Sequence, residues 1–307
     1  MKAIVGYTGF VGSNICESIP FDGTYNTQNI QDSFGTRPEL LVYAGLRAEK
    51  FLANSNPEKD NELILEAEEN IQKIAPKKLV LISTVDVFKS TLGMDEDSTI
   101  DTDGLHAYGL NRFKLEQWAR SHFPDALIIR LPALFGNNIK KNFIFDFLHY
   151  IPSMLKDVKM EELCLKNPLF KNFYTLQANG FYKVNSLDET ERSALKQMFK
   201  DSGFSALNFT DSRNTYQFYP LKRLGEDIQK ALSSGLTLWH PATEPVSAGE
   251  LYRFLTGSDF TNELNGPTVH YDYRSKFANL FGGRDGYIMD KAQVMASIRD
   301  FIDNYKC

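Results

Sequence analysis

Four nearly continuous apolar runs punctuate the first half of the chain: KAIV (2–5), ELLVYAG (39–45), KLVLIST (78–84) and ALIIRL (126–131). Short runs without polar alternation are what strands buried on both faces of a parallel sheet look like. Helical period fills the gaps between them. Over 57–74, Leu63, Ala67, Asn70, Ile71 and Ile74 share one side and the charges take the rest, which predicts an amphipathic helix with a solvated face. The alternation of strand and helix predicts an α/β fold, a Rossmann-like doubly wound parallel sheet. After RLPALFG (130–136) the pattern changes. NFIFDFLHYIPSML (142–155) is dense in aromatics, and 186–202 opens with Ser186 and Glu189 at the spacing of a capping box.

The first run ends in GYTGFVGSNI, and Ile15 and Ile19 continue at helical spacing, so the chain opens as strand, glycine turn and helix. Gly6 then permits a tight turn, Gly9 lets the backbone approach a pyrophosphate, and Gly12 lets the helix pack closely; the helix amino terminus supplies donors to phosphate. A dinucleotide site is expected there. About 20 residues on, where an acid would bind an adenosine ribose, stand Thr24, Tyr25, Asn26, Thr27 and Gln28. With neither an acid for NAD nor an arginine for the phosphate of NADP, Asn26 is the expected ribose contact and the cofactor choice stays open. Asp22, the nearest acid, reads as part of an FDG turn.

The strand at 78–84 ends in Ser83 and Thr84, at the sheet edge where such folds place ligands. The helix-like stretch HAYGLNRFKLEQW (106–118) follows, with Tyr108 and Arg112 one turn apart. Together GYTGFVG, LISTVDVF, AYGLNRFKLEQ, IIRLPALFG and LWHPATEPVSAGELYRFL resemble the extended short-chain dehydrogenases/reductases of nucleotide-sugar epimerase, dehydratase and 4-keto-reductase type. The resemblance implies an NAD(P)-dependent enzyme that reduces or epimerises a keto nucleotide sugar. In it Thr84 is the catalytic hydroxyl and Tyr108 the proton donor or acceptor, and Arg112 stands where the family has lysine. It further implies cofactor contacts at Gly6, Thr8, Gly9, Phe10, Val11, Gly12, Asn26, Ala44, Gly45, Arg112 and Pro132. Substrate contacts fall at Thr84, Asn142, Arg213, Arg274 and Arg284, arginine being able to grip phosphate with two donors. The family's helix asparagine falls near Asp60 or Asn61.

Arginine keeps the lysine's charge in a planar, forked shape, so the exchange is not conservative. The competing expectation is a weakly active or inactive dinucleotide-binding protein in which Arg112 pairs with Glu116 on a helix surface. Val85 and Asp86 follow Thr84; a valine cannot act as an acid, which weakens a dehydratase reading and leaves Asp86 as a loop contact. His106 reads as a turn residue.

The resemblance places the dinucleotide domain at 1–140 plus about 219–240 and a smaller, discontinuous substrate domain at 141–218 plus about 241–307. Charge adds exclusions. A net charge of −5 over 307 residues gives no reason to expect nucleic acid or an acidic membrane as partner. Cys16, Cys164 and Cys307 are odd in number and scattered, which indicates neither a disulfide framework nor a zinc site; no metal is expected. With no membrane-length apolar run and a first strand beginning at Lys2, a cytoplasmic protein is expected. Members of the resembling group often pair through helices near the tyrosine, so a homodimer is an expectation too.

Overall fold

In a computed structural model of the chain, residues 1–305 are described; Cys307 lies outside them. The apolar runs form β1 (Lys2–Val5), β3 (Leu40–Tyr43), β4 (Leu79–Thr84) and β5 (Leu127–Leu131), joined by β2 (Gly23–Tyr25) and β6 (Leu238–Trp239). All six pair in parallel in the order β2-β1-β3-β4-β5-β6, with Ile4 opposite Val42 and Leu81 opposite Ile128. The order reverses between β1 and β3, and in such sheets the crevice at that reversal, outside the carboxyl ends of the strands, is where ligands bind.

Helices α1 (Phe10–Ser18), α2 (Lys50–Ser55), α3 (Pro57–Ile74) and α4 (Ala107–His122) occupy the crossovers. Proline at the first position of α3 and the Asn56 side chain, which accepts from Lys59 N, explain why that helix begins where it does. Its Ile64, Ala67, Ile71 and Ile74 pack with Leu115 and Ala119 of α4 onto Leu41, Leu79, Leu81 and Ile128 of the sheet. Burying each such aliphatic side chain contributes roughly 1.5–3 kcal/mol.

The contacts divide the chain into two units. One comprises 1–139, 215–247 and the chain from Val269 on; the other comprises Lys140–Asn214 and Ala248–Thr268. Where the resemblance gave all of 241–307 to a substrate domain, residues from 269 on belong with the sheet unit: Tyr273 N donates to Gln217 Oε1 and Ile288 N to the Ala242 carbonyl. The second unit has its own core of Leu155, Met160, Phe170, Leu195 and Phe199 beneath a three-stranded antiparallel sheet. In it α5 (Phe143–His149) is capped by Asn142, whose side chain accepts from Ile144 N and Phe145 N. The helix of 186–202 starts later than its apparent capping box. Asp188, not Ser186, is the cap, paired reciprocally with Glu191.

Candidate functional site

The glycine turn is built by close approach. Gly6 sits at φ +91°, and a Cβ there would meet the Ala44 carbonyl oxygen at 2.4 Å; one on Gly12 would meet the Gly6 oxygen at 2.1 Å. No side chain caps α1 at Gly9. The turn therefore leaves an open cradle at a helix amino terminus, with the donor geometry that suits a pyrophosphate. Thr8 and Phe10 flank Gly9 in it. Asn26 is engaged locally: its side-chain oxygen accepts from Gln28 N at 2.8 Å, and its own N–H donates to Asn29 Oδ1.

Beside the cradle a cleft with about 120 Å³ of space is lined by Val11, Ala44, Thr84, Tyr108, Arg112 and Pro132, all expected from sequence. Ser83, expected beside Thr84 at the ligand edge of the sheet, lines it too, as do Leu46, Arg47 and Ala48, which were not foreseen as contacts. Arg47 follows the end of β3 closely, and the position of a cation just past a strand's carboxyl end was the available signal.

Tyr108 is in the first turn of α4, where His106 Nδ1 accepts from Gly109 N at 3.0 Å and closes the helix. Asn54 Oδ1 accepts from the Tyr108 N–H. The helix comes close to the turn after β4, since a Cβ on Gly109 would stand 2.1 Å from the Asp86 carbonyl oxygen. That proximity sets Tyr108 and Thr84 together on the wall of the cleft, and the Thr84 side-chain oxygen accepts from Asp86 N at 3.1 Å. Burial pushes the phenol up to about 12; the Arg112 charge opposes this and Asp86 reinforces it. At neutral pH the site therefore holds a protonated phenol.

Arg112 does not pair with Glu116. Its guanidinium carbon lies 4.2 Å from the centre of the Tyr108 ring, one nitrogen pairs with Asp60, and another donates to the Arg47 carbonyl at 2.8 Å. Both partners are buried, with side-chain exposures of 4% and 6%. Asn111 Nδ2 donates to the same Asp60 oxygen at 2.9 Å. The position near which an asparagine was sought thus carries a counter-ion, and that acid claims the arginine.

Glu116 faces inward instead. It is fully buried and held by Arg130, Nη2 to Oε2 at 2.6 Å and Nε to Oε1 at 3.0 Å, while Ser83 Oγ donates to Oε1. Arg130 interrupts an otherwise apolar strand, and a charge in such a strand must find a buried partner, so this pair left a readable signal. His240 Nε2 stands 3.3 Å from Arg130 Nη1; burial and that charge push the imidazole down to about 3.

The three arginines expected to hold substrate are otherwise engaged or apart from the cleft. Arg213 grips Asp211 and Glu263. Arg274 donates to Asp272 and the Asp285 carbonyl and stacks 4.1 Å over Tyr287. Arg284 is exposed on the turn that pairs with Tyr287. Among the described residues no cluster of His, Cys, Asp and Glu is arranged to hold a metal, and no helix is long and apolar enough to cross a membrane.

A profile of the RmlD substrate binding domain family matches residues 5–162. Among curated protein sequences none matches the chain. Solved structures of similar fold include dTDP-4-dehydrorhamnose reductase from Bacillus anthracis in complex with NADP, at 14% identity, 99% coverage of each chain and a TM-score of 0.63. The Bordetella bronchiseptica enzyme WbmG in complex with NAD and UDP matches at 12% identity, covering 99% of this chain and 94% of its own, with a TM-score of 0.64. UDP-glucose 4-epimerase from Thermotoga maritima with UDP-glucose matches at 12% identity, 99% and 98% coverage and a TM-score of 0.62. At these identities the likeness is one of fold.

Proposed function

Because the chain belongs to the RmlD substrate binding domain family, we propose that it is an NAD(P)-dependent reductase of a keto nucleotide sugar, with Tyr108 giving the proton and Thr84 orienting the substrate oxygen. The observation that carries the reading is that Tyr108 and Thr84 share the wall of a cleft that adjoins the Gly6–Gly12 cradle, where burial raises the Tyr108 phenol and keeps it protonated. Ligands of the structural relatives, NADP in one and NAD with UDP in another, support the substrate and cofactor classes.

The cradle fits a dinucleotide. Gly6, Gly9, Gly12 and the first N–H groups of α1 would hold the pyrophosphate, and Val11, Ala44, Arg47 and Pro132 would enclose the part beyond it. A reduced nicotinamide bound there would supply the hydride. As an alkoxide develops on the substrate, Tyr108 Oη surrenders its proton to it, and Thr84 holds the oxygen in line. A phenol held near 12 is a donor over the whole physiological range, whereas the opposite step, abstraction of a carbinol proton, needs the phenolate. Reduction is therefore favoured over epimerisation. Arg112 acts through the Tyr108 ring and the 46–48 loop; with Asp60 against it, its charge is spent mostly on position.

That last geometry also supports a second reading, a dinucleotide-binding protein of low activity. The two are separated by titrating NADH and NADPH into the protein by fluorescence and then following cofactor oxidation with keto nucleotide sugars in wild type and Tyr108→Phe. Reduction by the wild type and a loss of about 10²–10⁴-fold in the variant, with cofactor affinity kept, is expected for a general acid. Equal background in both proteins would favour the binding protein, and no binding of either cofactor would sink both readings.

A further inference from the structure

Of the residues that line the cleft, Arg47 and Arg112 carry charge. Arg47 is exposed, so water and salt screen its guanidinium. Arg112 is buried in the wall, where a charge is screened far less and acts on whatever enters the cleft. It does not act alone. Asp60, itself buried and outside the lining residues, pairs with the guanidinium, and Asn111 Nδ2 donates to the same carboxylate oxygen at 2.9 Å. At the Tyr108 phenol the two charges work in opposite senses, Arg112 favouring the anion and Asp60 the neutral form. The neighbouring ion pair, Lys50 with Asp86 at 2.8 Å, closes on itself beyond the lining residues. The buried wall of the cleft is therefore close to charge balance, and Asp60 is the residue that balances it.

The two redox states of a nicotinamide ring differ in charge: oxidised, the ring is cationic, and reduced, it is neutral. A bare buried cation in the wall would repel the oxidised ring and so favour the reduced one. With Asp60 in place that repulsion is offset. We propose that Asp60 is a counter-charge that sets the redox-form preference of the cofactor site, holding it near even between oxidised and reduced nicotinamide dinucleotide. This rests on the reductase reading and extends it to regulation. An oxidised cofactor that is not repelled competes with the reduced one for the cradle, so turnover follows the ratio of the two forms around the protein and not the amount of the reduced form alone.

The test is a ratio of two affinities, those for the oxidised and reduced forms of NAD or NADP, whichever couple binds more tightly, measured by calorimetry at pH 8 so that the carboxylate stays ionised. Losses of shape or packing that weaken both forms alike cancel in that ratio. Asp60→Asn keeps an oxygen for Arg112 and Asn111 but leaves the cation bare, and should shift the ratio toward the reduced form by about tenfold. Arg112→Met leaves the Asp60 carboxylate bare and should shift it about as far toward the oxidised form, which reads the same balance without relying on a folded Asp60→Asn protein. Combining the two substitutions removes both charges and should return the ratio to within about threefold of the wild type, as expected of coupled sites. Opposite shifts are the mark of charge; a merely structural role would not produce them. An unchanged ratio in the single variants, or shifts in the same direction, overturns the inference and leaves the reductase reading standing. Binding of neither form to the wild type would remove the cofactor reading and the inference together.

Discussion

Arginine at position 112 changes what Tyr108 can do, and the change is one of geometry more than of charge. A lysine ammonium is a point cation, whereas the Arg112 guanidinium spans Asp60, the Arg47 carbonyl and the Tyr108 ring at once. Removing it strands a buried carboxylate. Arg112→Met should therefore lower stability in urea denaturation by about 3–5 kcal/mol. Adding Asp60→Asn should recover much of that, since the two residues are coupled; simple additivity of the two losses would contradict the pairing. Sequence periodicity put Tyr108, Arg112 and Glu116 on one stripe, which is true of α4. It could not show that the stripe is buried along its whole length, so that each charge takes a partner from another element: Asp60 for Arg112 and Arg130 for Glu116. Lys50 left no sequence signal, because its pairing with Asp86 depends on α2 facing the turn after β4.

Among the elements, long periodic segments were legible and short ones were not. The four apolar runs became β1, β3, β4 and β5 nearly as written, and α3 spans Pro57–Ile74. The two-residue β6 has no pattern of its own and exists because Leu238 pairs with Ile128. Helix 189–202 begins at Asp188 because both ends of the reciprocal bond, Asp188 and Glu191, are in place there, a choice two residues from an equally plausible serine. The aromatic segment 142–155 concealed a different matter. On α5 burial pushes the Asp146 carboxyl up to about 7. The folded chain thus holds that proton where the unfolded chain has released it, and stability declines as pH rises from about 4 to about 7. Asp146→Asn should raise the thermal midpoint at pH 8 and leave it unchanged at pH 4; a shift of the same size at both would show that ionisation is not involved.

At the scale of the whole chain, the family and the doubly wound sheet were legible because strand-turn-helix spacing and parallel-strand composition are local properties. The partition of the residues from Val269 on was not, since it depends on Tyr273 and Ile288 finding partners far back in the chain. Long-range burial has a pH signature as well. His240, held down at about 3 by burial and Arg130, stays neutral in the fold while the unfolded chain takes up a proton below about 6.5. Stability from this residue is complete above that value and is lost as pH falls toward 3. His240→Gln should flatten the fall in urea midpoint between pH 6.5 and pH 4, and an unchanged slope would place the acid sensitivity elsewhere.

The central claim, a protonated Tyr108 delivering a proton during reduction, is reached most directly by single-turnover oxidation of bound NADPH or NADH with a keto nucleotide sugar from pH 6 to pH 10. The wild-type rate should show no loss attributable to tyrosine ionisation over that range, because the phenol titrates near 12, and Tyr108→Phe should be slower by about 10²–10⁴-fold at every pH. A wild-type rate that falls as pH rises through a pKa near neutrality and is lost with Tyr108→Phe, or a variant as fast as the wild type, would contradict it.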